Sequence, residues 1–303
     1  MKDLIYEYAT EEDGEEIAAL LEDTEFKGFI SIAYCRRPNA VLSLAKDGDK
    51  STWVIARNTE GKIIGVGGCT INKDVAYLTG LRAVAAGNIP KAYAMIHDFC
   101  VENGVKLTYT TILEDNVYAQ KMLEKKRKSM PYYLRHSELI TNIIRKKQRI
   151  KDENTLTLED DGFYVLREPA GNKAAGNAPD SNAKGKELAR GKAVEQWDYK
   201  QYVVKKYGWQ LKLIKPFIKW FPNEDEVLKF YTLREVSASD DTALESFLRH
   251  ISRIPLQGGF FIYGGADCPV KSIKYRSIVY IVDWDKTIED ARTIDLNIEV
   301  ANL

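Results

Sequence analysis

The chemistry this sequence offers most openly is the holding of an anion at a helix start. In "AAGNIPKA" (85–92), Gly87, Asn88, Ile89, Lys91 and Ala92 stand where a β-rich run, "VAYLTGLRAV", gives way to an amphipathic segment, "IPKAYAMIHDFCVENG". The first N–H groups of a helix lack internal partners and the dipole there is positive, so such a turn suits a phosphate. Gly87 permits close backbone approach, and Lys91 brings a charge that phosphates accept. Pro90 removes one donor but fits the first helical turn. The residue types leave two readings open: an anion site, or a helix start with a solvated lysine.

The elements that position this turn span Asp74 to Arg127. Ile89, Ala92, Tyr93, Ile96, Phe99 and Cys100 recur at the three-and-four interval of one helical face. Asn103-Gly104 ends that helix, because glycine takes the left-handed cap conformation freely. "KLTYTTIL" is a second strand. A second helix opens at Asp115 or Asn116, both good N-caps, and closes on Lys125, Lys126 and Arg127 at the negative end of its dipole.

Within this stretch, "TILEDNVYAQKMLEK" resembles the strand–helix signature of the GNAT N-acetyltransferase superfamily. That signature is a strand, an asparagine, an alanine three residues on, and an aliphatic stripe; Asn116, Ala119, Met122 and Leu123 occupy it. The resemblance implies the GNAT fold and an acetyl-CoA site on Tyr77 to Phe99. It also implies direct acetyl transfer to an amine, without a covalent enzyme intermediate. A backbone N–H between Leu81 and Val84, from Leu81, Arg82, Ala83 or Val84, would face the developing oxyanion. The pantetheine arm would run along that strand edge and the pyrophosphate would sit on Gly87 to Ala92. Asn116 either contacts the cofactor, with Ala119 beside it, or only caps its helix. Glu114, Tyr109 and Tyr118 are the candidates for proton transfer, each with a structural role as its alternative. Two departures define a second reading. The phosphate turn has one glycine and no arginine where the family has Q/R-x-x-G-x-G/A, and Leu123 stands where many members carry a tyrosine acid. The alternative is thus a non-catalytic acyl-CoA-binding or protein-interaction module that retains the fold.

Lys plus Arg and Asp plus Glu each number 44 in 303 residues. With no net charge there is no overall pull toward nucleic acid or anionic membranes, and neither is expected as a partner. The expected partner is a small-molecule or peptide amine, the expected state a monomer or homodimer. Four scattered cysteines without a C-x-x-C pair fit a reducing compartment, and Cys69 and Cys100 read as small core residues. The polar, acidic start lacks signal-peptide character, so a cytoplasmic protein is expected. No metal is expected: His136 and His250 lack partners at ligand spacing, and His97 reads as a surface residue.

Around the central stretch, Leu4–Tyr8 reads as a strand, and Thr10 with Asp13 as a capping box before a helix buried on Ile17, Leu20 and Leu21. Residues 26–45 read as helix broken at Pro38. "TWVIARN" and "IIGVGGCTIN" form a hairpin, with a bulge expected at Gly67-Gly68. Leu139–Ile144 closes a first domain, 1–145. The second, 146–303, opens with two strands around a Gly/Ala/Asn/Pro-rich insertion, 169–186, whose composition predicts flexibility. "YVVKKYGWQLKLIKPFIKWFP" fits a helical stripe of Trp209, Leu213, Phe217 and Trp220, to be buried in core or interface. Strand, helix (Ser239–Ile254) and two strands follow, repeating the element order of the first half; their acidic turn "SASDD" would repel a pyrophosphate. "YRSIVYIVDWD" and its tail resemble the end of tandem-GNAT bacterial proteins. The fold class expected is α/β (α+β), a mixed central sheet flanked by helices, in two tandem GNAT-like copies with the second incomplete and degenerate.

Overall fold

The computed structural model describes every residue except 1–3, 24, 27–29, 84–88, 170–184, 218–221, 297 and 299–303. In chain order the first half runs β1 (Ile5–Tyr8), α1 (Gly14–Glu22), β2 (Glu25–Phe26), β3 (Ile30–Arg36), α2 (Ala40–Leu44), β4 (Lys50–Arg57), β5 (Ile63–Asn72), β6 (Val75–Ala83), α3 (Ile89–Glu102), β7 (Leu107–Leu113), α4 (Val117–Glu124) and β8 (Tyr132–Arg145). The second half runs β9 (Thr155–Leu158), β10 (Tyr164–Arg167), β11 (Glu187–Glu195), β12 (Lys200–Tyr207), α5 (Trp209–Ile214), β13 (Phe230–Ala238), α6 (Asp241–Ile251), β14 (Phe260–Gly264) and β15 (Ile273–Asp283).

Twelve strands form one mixed sheet in the order β1-β4-β5-β6-β7-β15-β8-β14-β13-β11-β10-β9. Its helices cover it, as the α/β reading requires. α3 and α4 bury one face against β5, β6 and β15, through Tyr93, Ile96, Cys100 and Leu123. α1 and α2 cover the other face over Trp53, Ile55 and Val66. The expected capping box is present, with the Thr10 amide donating to Asp13 Oδ2 at 2.8 Å. Gly104 takes φ +69° and ends α3 as the sequence predicts. Cys69 and Cys100 are buried, their sulfurs 3.8 Å apart.

β6-α3-β7 and β13-α6-β14 are both parallel strand–helix–strand units, paired at Val75↔Leu107 and Phe230↔Phe260. In the second, Asp240 caps α6, accepting from the Ala243 amide at 2.8 Å. β15 lies between β7 and β8, antiparallel to both, so one C-terminal strand bridges the two halves.

Four expectations need correction. Residues 30–36 are a strand, not helix; only Ala40–Leu44 is helical, capped by Asn39. Lys200–Tyr207 is likewise a strand, and helix is confined to Trp209–Ile214 with a 3₁₀ turn after it. β3 and β12 pair antiparallel, with β2 beside β3, in a second sheet of order β12-β3-β2. Trp209 and Phe217 are 72% and 86% exposed rather than buried; Trp220 and the body of the 169–186 insertion lie outside the described residues. β8 starts seven residues before the expected Leu139, at Tyr132.

Candidate functional site

β6 and β7 pair in parallel only at Val75↔Leu107, Ala76↔Thr108 and Tyr77↔Tyr109. Both strands continue, β6 to Ala83 and β7 to Leu113, without further pairing to each other among the described residues. Thr110 Oγ1 donates to the Leu78 carbonyl at 2.9 Å and the Tyr77 and Thr111 hydroxyls bond at 3.1 Å, side-chain ties where the strands part. The cause lies on the other side of β6. Gly68 faces Thr79 and Val66 faces Arg82, so Gly80 and Leu81 together oppose Gly67. This is a bulge, with Gly80 at φ +63°. A Cβ there would lie 2.7 Å from the Trp53 ring, so glycine is required twice over. The bulge expected at Gly67-Gly68 is therefore present, with its extra residue on β6.

The parting separates this edge of β6 from β7 on the way to the start of α3. Leu81, at 37% exposure, and Arg82, whose Nη1 donates to the Leu81 carbonyl at 2.9 Å, occupy that edge with Ala83. Burial pushes the Arg82 guanidinium pKa down. Val84, Gly87 and Asn88 fall outside the described residues. Ile89 and Ala92 begin α3 and pack on its core; Lys91 is exposed, its ammonium 5.5 Å over the Tyr6 ring.

The proton-transfer candidates do not converge. Tyr109 is buried beside Tyr77, ring centroids 5.1 Å apart, and burial raises its pKa. Glu114 is exposed past the end of β7, and Tyr118 is 81% exposed on α4. Asn116 caps α4, its side chain accepting from the Ala119 amide at 3.1 Å, so that N–H is already used. Leu123 is buried in the core under α4. His97 is half-buried, stacked 4.7 Å from Trp284, and not the surface residue its position implied. Among the described residues there is no group of three or more His, Cys, Asp or Glu that could hold a metal ion. No described helix is long and apolar enough to cross a membrane.

A polar cluster that sequence reasoning missed faces Tyr77. Tyr34 and Arg36 of β3 lie directly across from Tyr202 and Lys200 of β12. Arg36 Nη2 pairs with Asp47 Oδ2 at 2.6 Å and Lys200 Nζ lies 3.7 Å from the same oxygen. All three side chains are at most 3% exposed. Burial drives the Lys200 ammonium pKa down to about 8, against the pull of Asp47. Burial likewise raises Tyr34, Tyr77 and Tyr202, the last to about 12, so these phenols stay protonated. Tyr77 feels the charges of Arg36 and Asp47, which places the cluster beside the parting strands. The period-two alternation of Tyr34 and Arg36 was the available signal. Lys200 had none, because its partners come from the other half.

No family model matches the chain, and no curated protein matches its sequence. Solved structures match its fold. The GCN5-related glucosamine N-acetyltransferase region of a fungal multi-domain GH3 β-N-acetylglucosaminidase aligns over 92% of this chain and 38% of that one, at 12% identity and TM-score 0.57. This chain thus spans well under half the length of that protein. A GCN5-related N-acetyltransferase from Sphaerobacter thermophilus aligns over 92% of this chain and 95% of its own, at 9% identity and TM-score 0.51.

Proposed function

Starting from a chain with the fold of the GCN5-related N-acetyltransferases, we propose that it transfers an acetyl group from acetyl-CoA to the amine of a small molecule or peptide. The observation that carries this reading is the parting of β6 from β7 beyond Tyr77↔Tyr109. It exposes the edge of β6, to which an extended pantetheine arm can bond as an added strand. The amides of Leu81 to Ala83 are the donors for the developing oxyanion. The start of α3, with Lys91, is the place for the pyrophosphate.

The reaction needs little covalent help. The amine nitrogen forms a bond to the thioester carbon, the carbon–sulfur bond breaks, the amine loses a proton and the CoA sulfur gains one. Holding amine and thioester together supplies on the order of 7–11 kcal/mol. A second reading has its own support: Leu123 is buried and Tyr118 points to solvent, so α4 offers no proton donor to the gap. On that reading the chain binds acyl-CoA without turning it over. We also propose that residues 1–145 carry this site and that 146–303 form a degenerate copy, since Asp240 occupies the helix start where a phosphate would sit.

Calorimetric titration with acetyl-CoA, then thiol release across an amine panel, separates these readings. Binding with turnover supports the transferase, binding alone the module, and no binding removes both. Lys91→Glu places a negative charge beside the phosphates and is expected to weaken CoA binding roughly ten-fold or more. Its melting temperature should hardly change, because Lys91 is exposed and surface substitutions stay within about 0.5 kcal/mol.

A further inference from the structure

An apolar cleft lies beneath α3, and the same stretch of β6 borders it. Gly65 and Gly67 of β5 form its floor, Leu81 and Arg82 of β6 one wall, and Ile89 and Ile96 of α3 its roof. Among the described residues its one charged liner is Arg82, whose guanidinium is tied to the Leu81 carbonyl. The glycine at 67 keeps the cleft open. A Cβ there would stand 3.4 Å from Ile96 Cδ1 and 3.7 Å from Leu81 Cδ1, and so would fill the space between the two walls. Gly67 has no positive φ to explain it; its role is to leave room.

The free volume is about 40 Å³, enough for roughly three atoms of water size. An apolar cleft of this kind favours an apolar guest over water. Leu81 belongs both to the cleft and to the edge proposed to hold the thioester carbonyl, so a chain leaving that carbonyl has the cleft next to it.

We propose that this cleft receives the acyl tail of a short-chain acyl-CoA, with butyryl-class donors preferred over acetyl. The inference rests on the acyltransferase reading above and deepens it by assigning the donor. Acetyl leaves the cleft unfilled. Two further methylenes occupy it, and a long fatty chain exceeds it.

The test is titration of the full chain with acetyl-CoA and with butyryl-CoA, for wild type, Gly67→Ala and Gly67→Val. Wild type is expected to bind butyryl-CoA about ten-fold more tightly, the worth of burying two methylenes. Gly67→Ala should reduce that preference and Gly67→Val abolish it, with acetyl-CoA affinity retained in both. Gly67→Ala adds one methyl at ordinary contact distance, so it keeps the test alive if the valine variant fails to melt cooperatively. Equal binding of the two esters by wild type overturns the inference alone. So does a butyryl preference that is unchanged in folded Gly67→Ala and Gly67→Val. Failure to bind any CoA ester overturns the acyltransferase reading itself.

Discussion

Asp47→Ala is expected to lower stability by about 3–5 kcal/mol, the cost of leaving buried charge without its partner. Among the described residues, Asp47 is the one carboxylate paired with two buried cations, Arg36 at 2.6 Å and Lys200 at 3.7 Å. Arg36 cannot shed its proton, so its charge would stay buried and uncompensated. Lys200→Met is expected to behave oppositely, near neutral or stabilising, since it removes the surplus cation and keeps the Arg36–Asp47 pair. The two substitutions are compared by urea unfolding. The same lysine sets a pH dependence. Folded, it loses its proton near pH 8; unfolded, near its ordinary value of 10.5. Between these the unfolded chain binds more protons, so stability rises with pH, by up to roughly 3 kcal/mol over the whole span. Below pH 8 the penalty is constant. The lysine's share is read from pH 8 to about 9.5 as the difference between wild type and Lys200→Met, because Cys35 and Cys69, kept protonated by burial when folded, ionise in that range when unfolded and oppose it equally in both proteins.

A fragment ending at residue 145 is expected not to fold. β7 and β8 do not pair with each other; β15 stands between them, with five register pairs to β7 from Ser277↔Leu113 to Ile281↔Tyr109. β8 pairs with β15 along nearly its whole length, from Tyr132↔Asp283 to Ile143↔Ile273. Without β15, both strands would expose unpaired backbone, and the core under α3 and α4 would lose Ile278, Tyr280 and Val282. The fragment should show no cooperative melting transition by circular dichroism. Adding a peptide covering residues 273–283 should restore at least part of one.

What was legible in the sequence and what was not divides along physical lines. The stripe on α3, the Gly104 stop, the Asn116 cap and the β4–β5 hairpin all rest on contacts within one or two turns of chain, and local patterns report them. β3 and β12 escaped because their inward faces carry Tyr34, Arg36, Lys200 and Tyr202. A strand that buries polar groups loses the apolar alternation by which strands are recognised. The aromatic run after β12 misled in the opposite way, since Trp209, Leu213 and Phe217 are apolar yet exposed. The bulge was signalled by glycine in a strand, and Gly67-Gly68 drew attention from Gly80 in "YLTGLRAV". The insertion of β15 between β7 and β8 has no local signature at all. Of the candidate site, the start of α3 at Ile89 was readable from residue types, whereas the polar cluster needed two halves brought together.

Amide hydrogen exchange with and without acetyl-CoA tests the central claim most directly. The account predicts new protection confined to the edge of β6, Thr79 to Ala83, and to the first turn of α3, Ile89 to Tyr93, because these amides would bond pantetheine, carbonyl and pyrophosphate. Protection at the start of α6, or saturating acetyl-CoA with no change in either segment, would contradict it.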